Sequence, residues 1–328
     1  MSSLHRFLFT GLPVRGMLVR LTDGWQEVLR RRGAGDAFPA PVRRLLGEMT
    51  AASVLMQANI KFNGALILQV YGDGPVKLAV VEAQPDLAFR ATAKVVGPVG
   101  PADRLEAMLN VHGSGRCVIT LDPQSKLPGQ QPYQGIVPLF GIEDGEQRAP
   151  LQHVSQVLEH YMLQSEQLDT RLVLAANDDA ACGLLIQRLP MEGAGNLAGQ
   201  GGQRDDAAGD DDAFRRIALL AATMSADELL SLDADAVLHR LFWEEPLQRL
   251  EPLVGDHAPH FACTCSRERV GRMLRGLGVT EVDGIVAEQG RVEIGCEFCG
   301  KKYHFDPVDV GELFTALTDQ APGSSAIN

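Results

Sequence analysis

Cys263, Cys265, Cys296 and Cys299 form a C-x-C pair and a C-x-x-C pair, separated by the thirty residues 266–295. Four thiolates in two close pairs can complete a tetrahedral shell around one Zn2+. Each pair can also close a disulfide, so the same sulfurs can hold a metal or two S–S bonds. That double capacity points to a redox-sensitive zinc switch. The plainer alternative is a structural zinc ribbon that never oxidises. An all-sulfur shell leaves no open position for activating water. No G-x-S-x-G, H-E-x-x-H or P-loop pattern occurs. Adjacent Glu159 and His160 point in different directions from one helix, so catalysis is not expected. His257, His260 and His304 lie near the cluster in sequence, but four sulfurs leave no need for them as ligands.

An oxidant that attacks one ligating sulfur weakens the site, and a close neighbour can displace the oxidised sulfur to form a disulfide. Only Thr264 separates Cys263 from Cys265, so a bond between them closes a small, strained and labile ring. The Cys296–Cys299 ring is better tolerated. Loss of the metal removes about 10 kcal/mol from a module with little core of its own, so local unfolding is expected.

The chain has 328 residues, 45% of them hydrophobic, which allows two or three domains. Of its six cysteines only Cys117 and Cys182 lie outside the cluster, at strand-like positions that suit buried small hydrophobes. So few and so clustered, they fit reduced cytosolic thiols better than a secreted disulfide framework. Gly, Pro and Arg interrupt the apolar runs of the N-terminus, and no eighteen uncharged apolar residues occur together. Neither secretion nor membrane insertion is expected, and the protein reads as cytoplasmic. The net charge is −12. Across residues 261–306, seven Arg and Lys are balanced by seven Asp and Glu, which disfavours nucleic acid as a partner.

The elements that must position the cluster are mixed. Helical spacing marks residues 42–62 and 151–167. Strand pairs are expected at 65–71 with 75–82, around a Gly72-Asp73-Gly74 turn of positive φ, and at 171–176 with 182–189. A further strand is expected at 117–121. Residues 191–212 have almost no large apolar side chain and read as a flexible segment. Short helices follow over 213–254, one with a Ser225/Glu228 capping box, and they read as limited in apolar surface. Within the cysteine module, a basic helix is expected at 267–277. A strand pair at 284–288 and 291–295 and a strand at 303–305 should follow. The fold class is thus α+β. An N-terminal antiparallel-sheet domain with packed helices (1–190) leads through the flexible segment (191–212) and a redox-sensitive helical linker (213–254). A small four-cysteine zinc module (255–312) and a tail (313–328) complete the chain.

Several separated motifs resemble the bacterial redox-regulated heat-shock chaperone family, the HslO type, over nearly the whole length. They are Arg15-Gly16, Leu46-Gly47-Glu48, Phe62-Asn63-Gly64, Tyr133-Gln134-Gly135-Ile136-Val137, Tyr161-Met162-Leu163-Gln164-Ser165-Glu166-Gln167, Gly183 and Gln187-Arg188-Leu189-Pro190. The cysteine motifs, with Tyr303 and Phe305 downstream, look like that family's zinc centre. The resemblance implies an ATP-independent holdase, inactive while reduced with one Zn2+ per chain. Oxidation is then expected to pair Cys263 with Cys265 and Cys296 with Cys299, to release zinc and to unfold the module with the linker near residues 214–251. The exposed surface would capture unfolding client proteins under oxidative and heat stress, and the oxidised form would be a homodimer. Two departures stand out: an acidic, lengthened 191–212 segment, and cysteine at 182 where small residues are usual. Competing readings are a permanently folded zinc-ribbon adaptor for RNA or protein, and a dithiol oxidoreductase working through Cys296 and Cys299.

Overall fold

The computed structural model describes residues 1–31, 37–125, 131–143, 146–189 and 203–315. Two compact units divide it, Met1–Ala262 and Cys263–Asn328.

The first unit begins with β1 (Ser3–Phe9), β2 (Val14–Leu21), α1 (Asp23–Arg30) and the long α2 (Ala40–Asn59). Strands β3 (Gly64–Tyr71), β4 (Val76–Ala83) and β5 (Ala88–Val95) follow, then α3 (Leu105–Leu109), β6 (Arg116–Pro123) and β7 (Tyr133–Pro138). A small hairpin of β8 (Phe140–Glu143) and β9 (Glu146–Pro150) precedes α4 (Val154–Ser165), β10 (Thr170–Ala176) and β11 (Ala181–Arg188). Three helices, α5 (Gln203–Ala222), α6 (Ala226–Ser231) and α7 (Ala234–Phe242), lead to β12 (Leu247–Arg249) and β13 (His260–Phe261).

These strands make two main sheets, ordered β10-β11-β2-β1-β12 and β13-β5-β4-β3-β6-β7. Helix α2 contacts β2, β10 and β11 of one sheet and β3, β4 and β5 of the other. That double contact explains its composition. Leu45, Leu46, Met49, Ala52, Val54 and Leu55 are all buried, and no wide polar face remains. At Gly47 a Cβ would sit 2.4 Å from the Ala176 Cβ, so only glycine permits the sheet this close.

Both expected hairpins form, β3–β4 and β10–β11. The glycines of the first turn serve a different purpose from the one expected. Neither Gly72 nor Gly74 has positive φ. Instead, added Cβ atoms would lie 2.2 Å from the Val76 carbonyl oxygen and 2.6 Å from that of Met108. Asp73 between them accepts hydrogen bonds from the His112 and Ser114 amides and the Ser114 hydroxyl, tying the turn to the 110–115 loop.

Residues 190–202 lie outside the described residues. Gln203 already opens α5, where a flexible stretch as far as Asp212 was expected. Ala and Gln favour helix, and acidic residues in the first turns complement the macrodipole, so low hydrophobicity alone misreads this stretch.

Helices α5–α7 also bury more apolar surface than their sequences suggest. Ile217, Met224, Leu229, Leu238, Leu241 and Phe242 join Phe7, Phe9, Leu18, Cys182, Leu184 and Ile186 in a second core. Phe242 meets Phe9 edge-on at 5.1 Å between ring centroids. Ser225 caps α6 reciprocally with Glu228, as expected. Arg20 on β2 adds a polar clamp by donating to the carbonyls of Leu230 (2.7 Å) and Leu232 (3.4 Å) at the end of α6. Charge-assisted bonds of this kind contribute about 1.5 kcal/mol or more, so Arg20→Ala should loosen α6 by that order. Amide exchange across 226–242 would read the change; unaltered protection would mean the clamp is idle.

The second unit contains α8 (Arg267–Leu277), α9 (Val279–Gln289), β14 (Val292–Gly295), β15 (Lys302–Phe305) and α10 (Pro307–Thr315). The basic helix and the 303–305 strand are as expected. Residues 284–288 are not a strand; they belong to α9. Gly278 at φ +94° and Gly290 at φ +75° bracket that helix, conformations that disfavour other residues. The partner of β14 is therefore β15. The core is small, comprising Leu274, Val282, Val292, Tyr303, Phe305 and Val310. Arg267 closes one side of it. Its guanidinium lies 4.3 Å from the Phe305 ring centroid, pairs with Asp309 at 2.7 Å and donates to the His304 carbonyl at 2.6 Å.

Candidate metal centre

Two local structures present the four sulfurs. Cys263 and Cys265 lie on the extended chain entering α8, whose N-cap Ser266 accepts from the Arg269 amide at 3.2 Å. Cys296 and Cys299 flank the tight turn between β14 and β15. There the Cys296 amide donates to Lys301 (2.9 Å) and the Gly300 amide donates back to Cys296 (2.8 Å). Gly300 adopts φ +68°, which lets the chain reverse within this knuckle.

The four Sγ atoms lie within 4.8 Å of one another. Cys265 is 3.4 Å from Cys299, and Cys263 is 3.7 Å from Cys296. Bonds of about 2.3 Å to a tetrahedral zinc would hold the sulfurs about 3.8 Å apart, close to the spacing found, so small shifts would seat that ion. No disulfide joins any of the described cysteines. Both of these approaches join a sulfur of one sequence pair to a sulfur of the other.

The thiols differ electrostatically. Burial opposes ionisation of Cys265, but the Tyr303 hydroxyl and the three neighbouring thiols donate to it and bring its pKa down to about 7. Burial raises Cys296 and pushes Cys299 up to about 12. Tyr303 is the one contributor that the sequence reading did not single out for this purpose. Its hydroxyl donates to Cys265 Sγ at 3.1 Å. The available signal was period-two placement, which puts Tyr303 and Phe305 on one face of β15. Removing a hydrogen bond to a ligating atom typically weakens metal binding about tenfold or more. Tyr303→Phe should therefore lower zinc affinity by at least that factor in a competitive chelator titration. Unchanged affinity would deny the hydroxyl a role.

Other candidates stay outside the centre. His304 Nδ1 lies 3.3 Å from Glu293, and His260 Nδ1 lies 3.1 Å from the Ala258 carbonyl. Cys117 and Cys182 are buried in separate cores, with thiols pushed up by burial to about 12 and about 11. Glu159 accepts from the Leu172 amide at 2.7 Å, a structural role. Among the described residues no helix is long and apolar enough to cross a membrane.

The sequence profile of the Hsp33 protein family matches residues 2–306. The 33 kDa chaperonin of Chromobacterium violaceum is 47% identical over 311 residues, covering 95% of this chain and 93% of that protein. The 33 kDa chaperonin of Neisseria meningitidis serogroup A is 43% identical over 310 residues, covering 94% and 90%. In fold, the chain is similar to the crystal structure of a 33 kDa chaperonin from Thermotoga maritima. That match has a TM-score of 0.72 at 18% identity and covers 97% of this chain and 99% of the other.

Proposed function

The chain belongs to the Hsp33 protein family, and on that premise we propose how it works. It is a redox-regulated chaperone of the holdase type, not an enzyme. Cys263, Cys265, Cys296 and Cys299 hold one Zn2+ in the reduced resting state. The observation that carries this reading is the gathering of four sulfurs within 4.8 Å in a unit whose own core is six side chains.

Bound zinc would keep the thiolates deprotonated while tying both halves of the small unit together. Peroxide oxidises one cysteine to the sulfenic acid and leaves as water. A neighbouring thiolate then attacks that sulfur, forming a disulfide and expelling a second water. Two such rounds consume two peroxides and give Cys263–Cys265 and Cys296–Cys299. The second unit then has only its small core, and it unfolds. Residues 214–251 lose their restraint and leave the outer face of the first sheet. Phe7, Phe9, Leu18 and Leu184 become available to unfolding clients, recognised through apolar area rather than sequence. The oxidised protein acts in the cytoplasm as a homodimer.

The test combines three readouts on one sample: zinc release, disulfide mapping by mass spectrometry, and suppression of thermal aggregation of a generic client. Peroxide at heat-shock temperature should produce all three. Complete oxidation with no protection of the client would refute the holdase. Bonds between Cys263 and Cys296 would correct the pairing alone.

A further inference from the structure

A cavity of about 430 Å3 opens between the first half of α2, the loop before α3 and the start of α4. Its walls are partly apolar, with Pro41, Leu45, Leu105, Met108, Val154 and Leu174. Glu48, Arg44, Arg104 and His153 supply the polar part. The other polar side chains of the wall are engaged locally. Asp103 accepts from the Gly100 amide at 2.7 Å, and Gln152 donates to Glu106 at 2.6 Å. Among the described residues, the Arg44 and Arg104 guanidiniums and the Glu48 carboxyl have no hydrogen-bond partner.

We propose that this cavity binds a small organic oxyanion, its charged head held by Arg44, Arg104 and His153 and its apolar body lying against Leu45, Leu105 and Met108. Guanidinium forks match oxyanions bidentately. Both sit at exposed positions lining the one cavity, where neither is engaged by a protein acceptor and both are free to take up a ligand's charge. Glu48 completes the donor set. Close packing raises its pKa to about 7 against the pull of Arg44, so near neutrality its carboxyl can donate an O–H to the anion. His153 is held below its usual range by burial, then by Arg104 and Arg44, and as a neutral ring it offers one N–H. The volume suits a compact ligand with a body, and exceeds what a bare inorganic ion fills.

Ala226, the first residue of α6, also lines the cavity. An occupied site therefore holds a linker helix in place and opposes its release. That consequence depends on the chaperone reading; the binding itself does not.

Benzenesulfonate is a suitable probe because its head does not titrate near neutrality. Calorimetry on the full-length, reduced, zinc-loaded protein at pH 6.5 should show saturable one-site binding, with inorganic sulfate weaker. Arg44→Ala/Arg104→Ala, changed at two exposed positions, should weaken it at least about tenfold. Raising the pH to 8.5 should weaken binding to the natural protein as Glu48 ionises, and Glu48→Gln should remove most of that decline. The charged groups lining the site besides Glu48 are Arg44 on α2, Asp103 and Arg104 in the loop and His153 before α4, with Glu106 on α3 behind Gln152. Leu174 and Ala226 bring none. His153 adds to the pH response at its acidic end. Absence of saturation at about 20 mM, or a loss below about threefold in the double variant, would overturn the site. A decline equally steep in Glu48→Gln would overturn the part given to Glu48. Since no client is involved, failure here would leave the redox reading standing, and failure of that reading would leave this one.

Discussion

Cys299→Ser is expected to abolish stoichiometric zinc binding and to unfold residues 263–315 without any oxidant. Cys299 is the most buried of the four cysteines, at 6% exposure. It stands on the knuckle whose backbone bonds join β14 to β15. A structural zinc site contributes about 10 kcal/mol or more at neutral pH. The core formed by Leu274, Val282, Val292, Tyr303, Phe305 and Val310 cannot offset such a loss. Zinc content should fall below one per chain, and amide protection in α8 and α9 should vanish while α2 keeps its own. Chelation of the reduced natural protein should reproduce both effects. Retention of one tightly held zinc with intact protection would show that the cluster is not what folds this unit.

Phe242→Ala is expected to release the linker while zinc remains bound. The Phe242 ring packs against Phe7 and Phe9, with centroids at 6.1 and 5.1 Å, and is 2% exposed. Truncating a buried phenylalanine costs about 3–5 kcal/mol. That loss falls on an assembly of two short helices and a three-residue strand, while the α2 core has separate contacts. Limited proteolysis should cut within 223–251, and the reduced protein should suppress client aggregation appreciably. Protease-resistant linker helices, or a cut linker without protection of the client, would separate linker release from chaperone action.

Much of this architecture is legible in residue order, because the strongest elements carry their own periodicity. Helix α2, both hairpins, α8 and the β15 strand follow from the spacing of their apolar residues, although the first turn's glycines act through close approach rather than positive φ. The cluster that could hold a metal is legible for the same reason: two short cysteine motifs can each be placed on a tight local structure. Residues 284–288 do not form the expected strand because a short apolar run such as Ile285-Val286-Ala287 fits strand and helix equally. The glycines at 278 and 290 held the deciding signal. The extent of the linker's packing was not legible. Ile217, Leu229 and Phe242 each sit on a modest helix, and only the shared sheet face makes them one core. Tyr303 could be placed on a strand face, but its donation to a particular sulfur needed three dimensions. The cavity around Glu48 joins residues from 41 to 226, which no local pattern relates.

The chain leading towards the cysteines is fastened to both main sheets, by β12 beside β1 and by β13 beside β5. Leu4 and Thr10 donate to the carbonyls of Leu253 and Pro246, and Leu87 and Phe89 accept from His260 and Ala262. Detachment of residues 246–262 thus strips two margins at once, baring rows of main-chain donors and acceptors that carry no side-chain code. A stretched polypeptide of almost any composition can zip onto such a border. Deuterium uptake at Leu4 and Thr10 should rise on activation and fall again when cargo arrives, and constant uptake would mean the borders never open.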